Sequence, residues 1–266
     1  MRVAHSFILT VCTCLAACGG SVVRPALSPA KPPSDALLVL PGYGYSGAGE
    51  RALRSLAPAM ANEHIDLYVA DYVTRSGLAT SRAKLERFIR ENRLDRYERL
   101  HVVAFLAGAW TLNPLLEQRV LPNLATVVYD RSPFQERAPR IAAEKLPVLA
   151  WMRYGSTVFD VAKTPYAPLT APHVKVALLI ESTPTSFIRR YEREARSYGP
   201  FAFACGAFGQ RYDDCAYLPM NHDELYTRFA DVWPEVLTFI RNGTFTVAAN
   251  RQPPAGDPLA ERGARP

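Results

Sequence analysis

The stretch HVVAFLAGA, residues 101–109, decides how this chain is interpreted. It begins as a short apolar strand, turns at small residues and continues into a helical pattern. Leu106 stands at the junction of strand and helix. A leucine has neither a lone pair for attack nor a proton that a base can remove, so nucleophilic catalysis is closed at this position. Ala104 and Gly108 keep the small side chains that allow a strand and a helix to approach each other.

Outside this stretch, apolar runs alternate with helical patterns. Such alternation predicts an α/β fold with a mostly parallel central sheet and helices on both faces. The strand candidates are residues 36–40, 65–70, 100–105, 125–129, 174–180 and 201–204. The helix candidates are residues 48–61, 81–92, 108–117, 184–197 and 223–242, the last stopped by Gly243.

Three segments follow one another in an order that a known family uses. They are LVLPGYGYSG at 38–47, the stretch at 100–109 and NHDEL at 221–225. Together they resemble the α/β-hydrolase superfamily, in particular its lipases and esterases. In that family the first segment is the oxyanion loop, the second the G-x-S-x-G nucleophile elbow and the third the loop of the catalytic histidine. The resemblance implies one α/β-hydrolase-like domain over 36–249 with a degenerate elbow.

The resemblance also implies an oxyanion-type binding site in the first loop. Gly42 and Gly44 allow a tight turn, and the N–H groups of Tyr43 and Ala107 are the candidate donors. Tyr43 and Tyr45 are expected to line the pocket. These donors depend on backbone shape, so they persist without a nucleophile and bind a carbonyl or carboxylate.

His222 corresponds to the catalytic histidine of the family. Without a nucleophile at Leu106 it is either a vestigial, structural histidine or a base for a different group. The aspartate that the family places after the strand ending at Ile180 is missing, and Glu181 or Asp130 is the candidate acid.

A displaced hydroxyl is the remaining route to hydrolysis. Ser46, Ser132 and Ser182 all follow predicted strands on the carboxyl side of the sheet, where pockets form. Hydroxyls in loops more often cap helices or bond to the backbone. The aromatic, proline-punctuated segment 131–172 lies where this family inserts a cap, and it is interpreted either as a partial lid or as packed surface connections.

The beginning of the chain is typical of a bacterial lipoprotein. Residues 1–17 have the layout of a signal peptide, and Leu15 to Cys18 resemble the lipoprotein cleavage box. Cys18 is therefore predicted to carry a lipid, and Gly19 after it implies the outer membrane with the domain facing the periplasm. Residues 18–35 are predicted to be the anchor and a proline-rich tether, and residues 250–266 a disordered tail.

Cysteine use agrees with an oxidising compartment. After removal of the signal peptide and lipidation of Cys18, Cys205 and Cys215 remain, and they are predicted to form a disulfide. A metal pair is the alternative, but no further ligands stand at a recognised spacing. No metal or cofactor is predicted.

The charge balance argues against one class of partner, nucleic acid, and leaves the other classes open. The formal charge of the chain is +6, and loss of the single arginine in residues 1–17 leaves +5. Its cations are dispersed along helical faces, which is typical of a solvated surface. The leading prediction is a lipid-anchored, non-catalytic protein that binds an apolar or acyl-bearing ligand or a periplasmic protein partner. The alternative is an active esterase or lipase-like hydrolase with a relocated nucleophile.

Overall fold

The computed structural model describes residues 22–23, 34–43, 45–118 and 121–260 of the chain. Its strands form one sheet in the order β1-β3-β2-β4-β5-β6-β7. Strands β2 to β7 are parallel, and β1 pairs with β3 in the antiparallel direction at one edge. The strands are β1 Val22–Val23, β2 Asp35–Leu40, β3 Ile65–Val69, β4 Arg99–Ala104, β5 Leu124–Arg131, β6 Lys175–Glu181 and β7 Asp214–Leu218.

Helices occupy most of the connections between the strands. They are α1 Gly47–Ser55, α2 Ala57–Asn62, α3 Leu78–Glu91, α4 Leu106–Gln118, α5 Ala138–Lys145, α6 Pro147–Tyr154, α7 Thr157–Lys163, α8 Ser186–Arg190, α9 Glu192–Ser197, α10 His222–Thr227 and α11 Phe229–Asn242. Short 3₁₀ turns cover Leu94–Arg96 and Cys205–Phe208. None of the helices in the described ranges is long and apolar enough to cross a membrane.

The sheet has a buried apolar layer on each face, as its doubly covered strands require. Leu37 and Val39 of β2 belong to the layer under α1, α2, α10 and α11. Leu38 and Leu40 point to the opposite face, into the layer under α3 and α4. Side chains alternate between the faces because successive residues of a strand point in opposite directions. The predicted α/β architecture is confirmed.

The last predicted strand is wrong. Residues 201–204 are irregular, and the edge strand is β7, Asp214–Leu218, which is absent from the strand candidates. Phe201 and Phe203 alternate as strand residues do, but they pack as a pair against Phe134, with ring centroids 4.7 and 5.4 Å away. The same apolar alternation therefore serves aromatic packing outside the sheet.

Three of the predicted helices are each divided in two. The break in the first lies at Leu56, where Pro58 at the second position of α2 has no N–H to continue the hydrogen bonding of α1. The predicted helices 184–197 and 223–242 divide at Tyr191 and Arg228. Gly243 ends α11 with a φ of 74°, the left-handed conformation expected of a C-terminal glycine.

Two segments outside the predicted domain take part in the fold. Part of the predicted tether forms β1, in which Val22 lies opposite Tyr68 of β3. Residues 250–260, expected to belong to a disordered tail, lie against the domain, since the backbone oxygen of Asn250 accepts from Tyr217 N at 2.7 Å and Leu259 is buried. The signal against a disordered tail was Leu259, an apolar residue among prolines and charged residues. The predicted signal peptide, Cys18 and residues 261–266 lie outside the described residues.

Candidate functional site

The junction of β4 and α4 forms the floor of the site. Strand β4 ends at Ala104, and α4 starts at Leu106, with Gly108 N donating to Phe105 O at 2.6 Å. A Cβ atom on Gly108 would lie 3.0 Å from both Cβ and the backbone oxygen of Leu40. The glycine is therefore kept for the close approach of helix and strand. Leu106 is buried and faces the cavity that contains His222.

The backbone at this junction is relaxed. Among the described non-glycine residues, positive φ occurs at His64 and Arg93 and not at Leu106, the first residue of α4. A nucleophile elbow is a strained turn that presents a serine hydroxyl. With leucine at this position there is no hydroxyl to present, and the strain is absent as well.

His222 is held at the first turn of α10 by a capping box. Asn221 accepts hydrogen bonds from the backbone N–H groups of Asp223 and Glu224, at 3.0 and 3.1 Å, and Glu224 Oε2 accepts from Asn221 N at 2.9 Å. These reciprocal bonds satisfy the free donors of the helix start. The result is a histidine fixed at the carboxyl edge of the sheet.

Both candidate acids reach the same ring nitrogen of His222. Nδ1 lies 3.0 Å from Asp130 Oδ2 and 3.1 Å from Glu181 Oε1. Asp130 stands near the end of β5 and Glu181 at the end of the neighbouring β6, so the parallel register brings the two carboxyl groups together. All three side chains are buried. The sequence predicted either Asp130 or Glu181 as the partner of His222, and in the structure both are its partners.

This cluster retains protons. Burial raises the pKa of Glu181 well above its usual value, and the nearby Asp130 carboxylate raises it further. Burial alone would lower the pKa of His222, but the carboxylates of Glu181 and Asp130 outweigh it and hold that pKa well above its usual value. His222 and Glu181 therefore both hold a proton to higher pH in the folded protein than they do in water. A protonated His222 is not a general base.

The other ring nitrogen of His222 faces Tyr226, which is not among the predicted site residues. Tyr226 places its hydroxyl 3.2 Å from Nε2, and the same oxygen accepts from Gly42 N at 2.7 Å. Its ring stacks on Phe105 with centroids 4.5 Å apart. The four-residue spacing places Tyr226 on the same helix face as His222, which the sequence does indicate, whereas its contact with Gly42 is visible only in the fold.

The fold agrees with that of known structures. The silkworm Bombyx mori juvenile hormone epoxide hydrolase is 13% identical, with a TM-score of 0.51 over 82% of this chain and 72% of that one. The Bacillus licheniformis lipase BlEst2 is 14% identical, with a TM-score of 0.52 over 82% and 94% of the two chains. The type II thioesterase BorB from the borrelidin biosynthetic cluster is 15% identical, with a TM-score of 0.52 over 84% and 98%.

The chain has the α/β-hydrolase fold. Identities at this level establish the fold and nothing about activity. No protein-family model matches the sequence, and no curated protein matches it either.

Gly42 and Tyr43 belong to the loop that was predicted to supply oxyanion donors. The N–H that meets a polar atom at the centre is that of Gly42, where a Cβ would lie 3.0 Å from Tyr226 Oη and 3.6 Å from His222 Nε2. Tyr43 lines the cavity, as expected, with its ring against Tyr154 at 4.8 Å. Tyr45 instead packs against Tyr226, with ring centroids 5.6 Å apart.

The remaining oxyanion candidates are Ala107 and Gly44. Ala107 is the second residue of α4, where backbone N–H groups have no partner inside the helix. Gly44 lies outside the described residues.

The three serines considered as displaced nucleophiles are engaged elsewhere or exposed. Ser46 precedes α1 on the surface. Ser132 Oγ accepts from Phe134 N at 3.3 Å, and Ser182 Oγ donates to Leu218 O at 2.8 Å. In the described part of the chain, none of the three is bonded to the His222 ring.

A cavity of about 390 Å³ opens beside Leu106 and His222. It lies between the sheet edge and α5 to α7, the helices of the segment predicted as a lid or as surface connections. Its apolar wall consists of Leu106, Ala138, Pro139, Ala142, Val158 and Phe187, and its polar groups are those of Gln135, Arg153, Thr185, His222 and Asp223, with Tyr43 and Tyr154 between them. A cavity of this size falls in the range of small-molecule sites.

Two groups in the fold are of the type that holds metals. Asp130, Glu181 and His222 offer ligand atoms within 4.8 Å of one another. His222 Nδ1 lies within hydrogen-bonding distance of both carboxylate groups, at 3.0 and 3.1 Å. Cys205 and Cys215 are joined in a disulfide and are not free to act as metal ligands.

Proposed function

We propose that this chain binds an apolar or acyl-bearing ligand in the cavity beside Leu106 and does not hydrolyse it. The observation that carries the proposal is the Tyr226 hydroxyl, which lies between His222 Nε2 and Gly42 N. That space is where a hydrolase of this fold needs its nucleophile and the developing oxyanion. Here the chain fills it with its own side chain.

Tyr226 does not replace the missing serine as a nucleophile. Burial raises the pKa of its phenol well above the usual value, and the Asp130 carboxylate adds to that shift. The hydroxyl therefore stays neutral at physiological pH. The imidazolium of His222 has no free lone pair to take its proton. Nucleophile and base are both missing from the centre.

The walls of the cavity favour an apolar ligand. Leu106, Val158 and Phe187 present hydrocarbon surface, and covering a side chain of this size contributes about 1.5 to 3 kcal/mol. Arg153 supplies a cation at the same cavity, which suits a carboxylate or carbonyl at one end of the ligand. A medium-length fatty acid such as decanoic acid has this combination.

Binding of decanoic acid, measured by isothermal titration calorimetry, tests the proposal. Leu106→Asp should abolish binding because it puts a charge into the apolar wall, whereas Leu106→Met keeps the volume and should bind normally. Ala142→Phe, which fills part of the cavity from α5, should also lose binding. Thermal unfolding of each variant shows that it is folded. Full binding by folded Leu106→Asp and Ala142→Phe proteins would show that the cavity is not the site.

The competing proposal, an ester hydrolase with a relocated nucleophile, makes the opposite prediction for a fluorophosphonate probe. Such probes react with activated serines. We expect no labelling of the wild-type chain and no turnover of p-nitrophenyl esters. Labelling that disappears in the His222→Ala variant would establish the hydrolase, and peptide mapping would identify the serine.

We further propose that the protein is anchored to the outer membrane through lipid on Cys18 and faces the periplasm. The cleavage box before Cys18 supports this, and the disulfide between Cys205 and Cys215 suits an oxidising compartment. Labelled palmitate should enter the wild-type protein and not the Cys18→Ala variant. Equal labelling of both, or of neither, would remove the anchor from the proposal.

A further inference from the structure

The outer face of α6 is apolar and open to solvent. Val148 is 68% exposed, and Leu149, Trp151 and Met152 are each 60% exposed. We call these four side chains the α6 face. In the described ranges the other exposed large apolar side chains are Tyr212 and Val247, each far from α6 in the sequence. Contiguous apolar surface of this kind marks a contact with another phase or molecule.

The α6 face is held in place by the rest of the domain. Arg75 O accepts from Ser156 N at 2.8 Å, just after the helix, and Arg75 Nη2 donates to Trp151 O at 3.1 Å. Gly155, with a φ of 65°, allows the chain to turn against Arg75, where a Cβ would collide with the backbone. On the inner side Ala150 is buried. The exposed side chains are thus presented by a fixed helix.

The charges around the α6 face are positive. Lys145 precedes the helix, Arg153 lies in its last turn, and the Arg75 guanidinium sits 5.9 Å from the Trp151 ring. Between Glu144 and Asp160 the sequence has no acidic residue.

Those two flanking acids are committed elsewhere. Glu144 bonds to Arg140 and Tyr198, and Asp160 Oδ2 accepts from Leu78 N. A cationic rim around an apolar centre complements an anionic surface with an apolar interior.

We propose that the α6 face docks onto a bilayer that contains anionic phospholipid. Trp and aliphatic side chains enter the boundary between headgroups and acyl chains, while neighbouring Lys and Arg side chains meet the phosphates. A second copy of the chain is a poorer occupant, because a stable dimer needs about 20–30 residues on each side and this face has four large side chains. Arg153 and Tyr154 of the same helix line the cavity, so the docked helix is also a wall of the cavity.

This proposal rests on α6 alone and does not require lipid on Cys18 or a ligand in the cavity. The measurement must therefore report contact of α6 with the bilayer rather than attachment of the chain. Trp151 provides it, because the other two tryptophans, Trp110 and Trp233, are 9% and 6% exposed. Bromine atoms on the acyl chains quench only a tryptophan that enters the bilayer boundary.

The full chain is added to vesicles of phosphatidylcholine with brominated acyl chains, with and without phosphatidylglycerol. With phosphatidylglycerol, tryptophan emission should be quenched, and the quenching should disappear in Trp151→Phe. It should weaken without the anionic lipid and at high salt, since the rim charges are exposed. Absence of quenching on the anionic vesicles would overturn the proposal.

Two double variants distinguish binding through the α6 face from non-specific adsorption of exposed apolar side chains. Leu149→Ser with Met152→Ser should lower the equilibrium constant for bilayer contact on the order of tenfold or more, read as loss of quenching. Tyr212→Ser with Val247→Ser removes the two exposed apolar side chains elsewhere and should leave quenching unchanged. All four residues are exposed, so folding is not at risk. Equal quenching in both variants would contradict the proposal, as would a lipid-free dimer in sedimentation that the Leu149 and Met152 changes dissociate.

Discussion

His101, near the start of the central strand β4, and His222, at the carboxyl ends of the strands, are both buried beside carboxylates, and their pKa values move in opposite directions. Burial lowers the pKa of His101 to about 4, against the pull of Asp35, whose oxygen lies 3.5 Å away. Arg99 binds that carboxylate through two hydrogen bonds, at 3.0 and 2.7 Å, and so takes up its charge. Two carboxylates face His222, and the hydrogen bonds of the described residues give them no cation except the imidazole.

The difference shows what decides the charge of a buried histidine. Burial opposes the imidazolium at both sites, so proximity to a carboxylate is not sufficient. The carboxylate must also lack another cation. Asp35 fails this condition, and the pair of Asp130 and Glu181 fulfils it. One histidine is therefore a neutral part of the core, and the other is the positive centre of the site.

The largest expected effect is that of His222→Ala. It leaves Asp130 and Glu181 buried without a cation, and removal of one partner from such a cluster costs about 3–5 kcal/mol of unfolding free energy. Urea unfolding measures this loss.

Adding Glu181→Gln to His222→Ala should recover part of the stability, because the remaining carboxylate no longer faces a second acid. The matched control is His101→Ala with Asp35→Asn, where coupling should stay within about 0.5 kcal/mol because Arg99 holds Asp35 in the absence of His101. Equal coupling free energies at the two sites would contradict the view that only Asp35 has a second cation to bind it.

The next effect belongs to His101 in acid. The unfolded chain takes up this proton near pH 6.5 and the folded protein only near pH 4, so stability falls as the pH drops through that window. The difference corresponds to about 3 kcal/mol. Urea unfolding at about pH 7 and about pH 4.5 should show a smaller loss in His101→Asn than in the wild type. Identical losses would mean that the folded and the unfolded protein take up the His101 proton at the same pH.

The opposite dependence is expected in mild base. His222 and Glu181 keep protons in the folded protein that the unfolded chain has released, so stability falls as the pH rises above the unfolded value of His222. Each retained proton contributes a slope of about 1.4 kcal/mol per pH unit. Between about pH 7 and about pH 9 the slope should be shallower in Glu181→Gln than in the wild type. Stability that rose with pH in this window would contradict a protonated cluster.

Much of the fold could be predicted from the sequence, because apolar alternation and helical periodicity report burial directly. The site was harder to predict. Leu106 and His222 stand at motif positions, and Asp130 and Glu181 stand at strand ends, so all four were found as candidates. The role of Tyr226 depends on the distance between α10 and the Gly42 loop, which no local pattern encodes. Strand β7 was missed because Asp214–Leu218 is short and stands between charged and polar loops, whereas residues 201–204 imitate a strand.

The smallest expected effect is a test of the whole comparison. Leu106→Ser restores a hydroxyl at the elbow, but we expect no measurable turnover of p-nitrophenyl esters. The new hydroxyl would meet an imidazolium, and Tyr226 already occupies Nε2. Leu106→Ser with Tyr226→Phe removes the second obstacle and keeps the first, so it should remain inactive near neutral pH and gain activity only as the pH rises. Turnover by the single variant at neutral pH would mean that His222 is free to accept a proton there. His222 and His101 would then both be neutral, and they would differ only in where they lie in the fold.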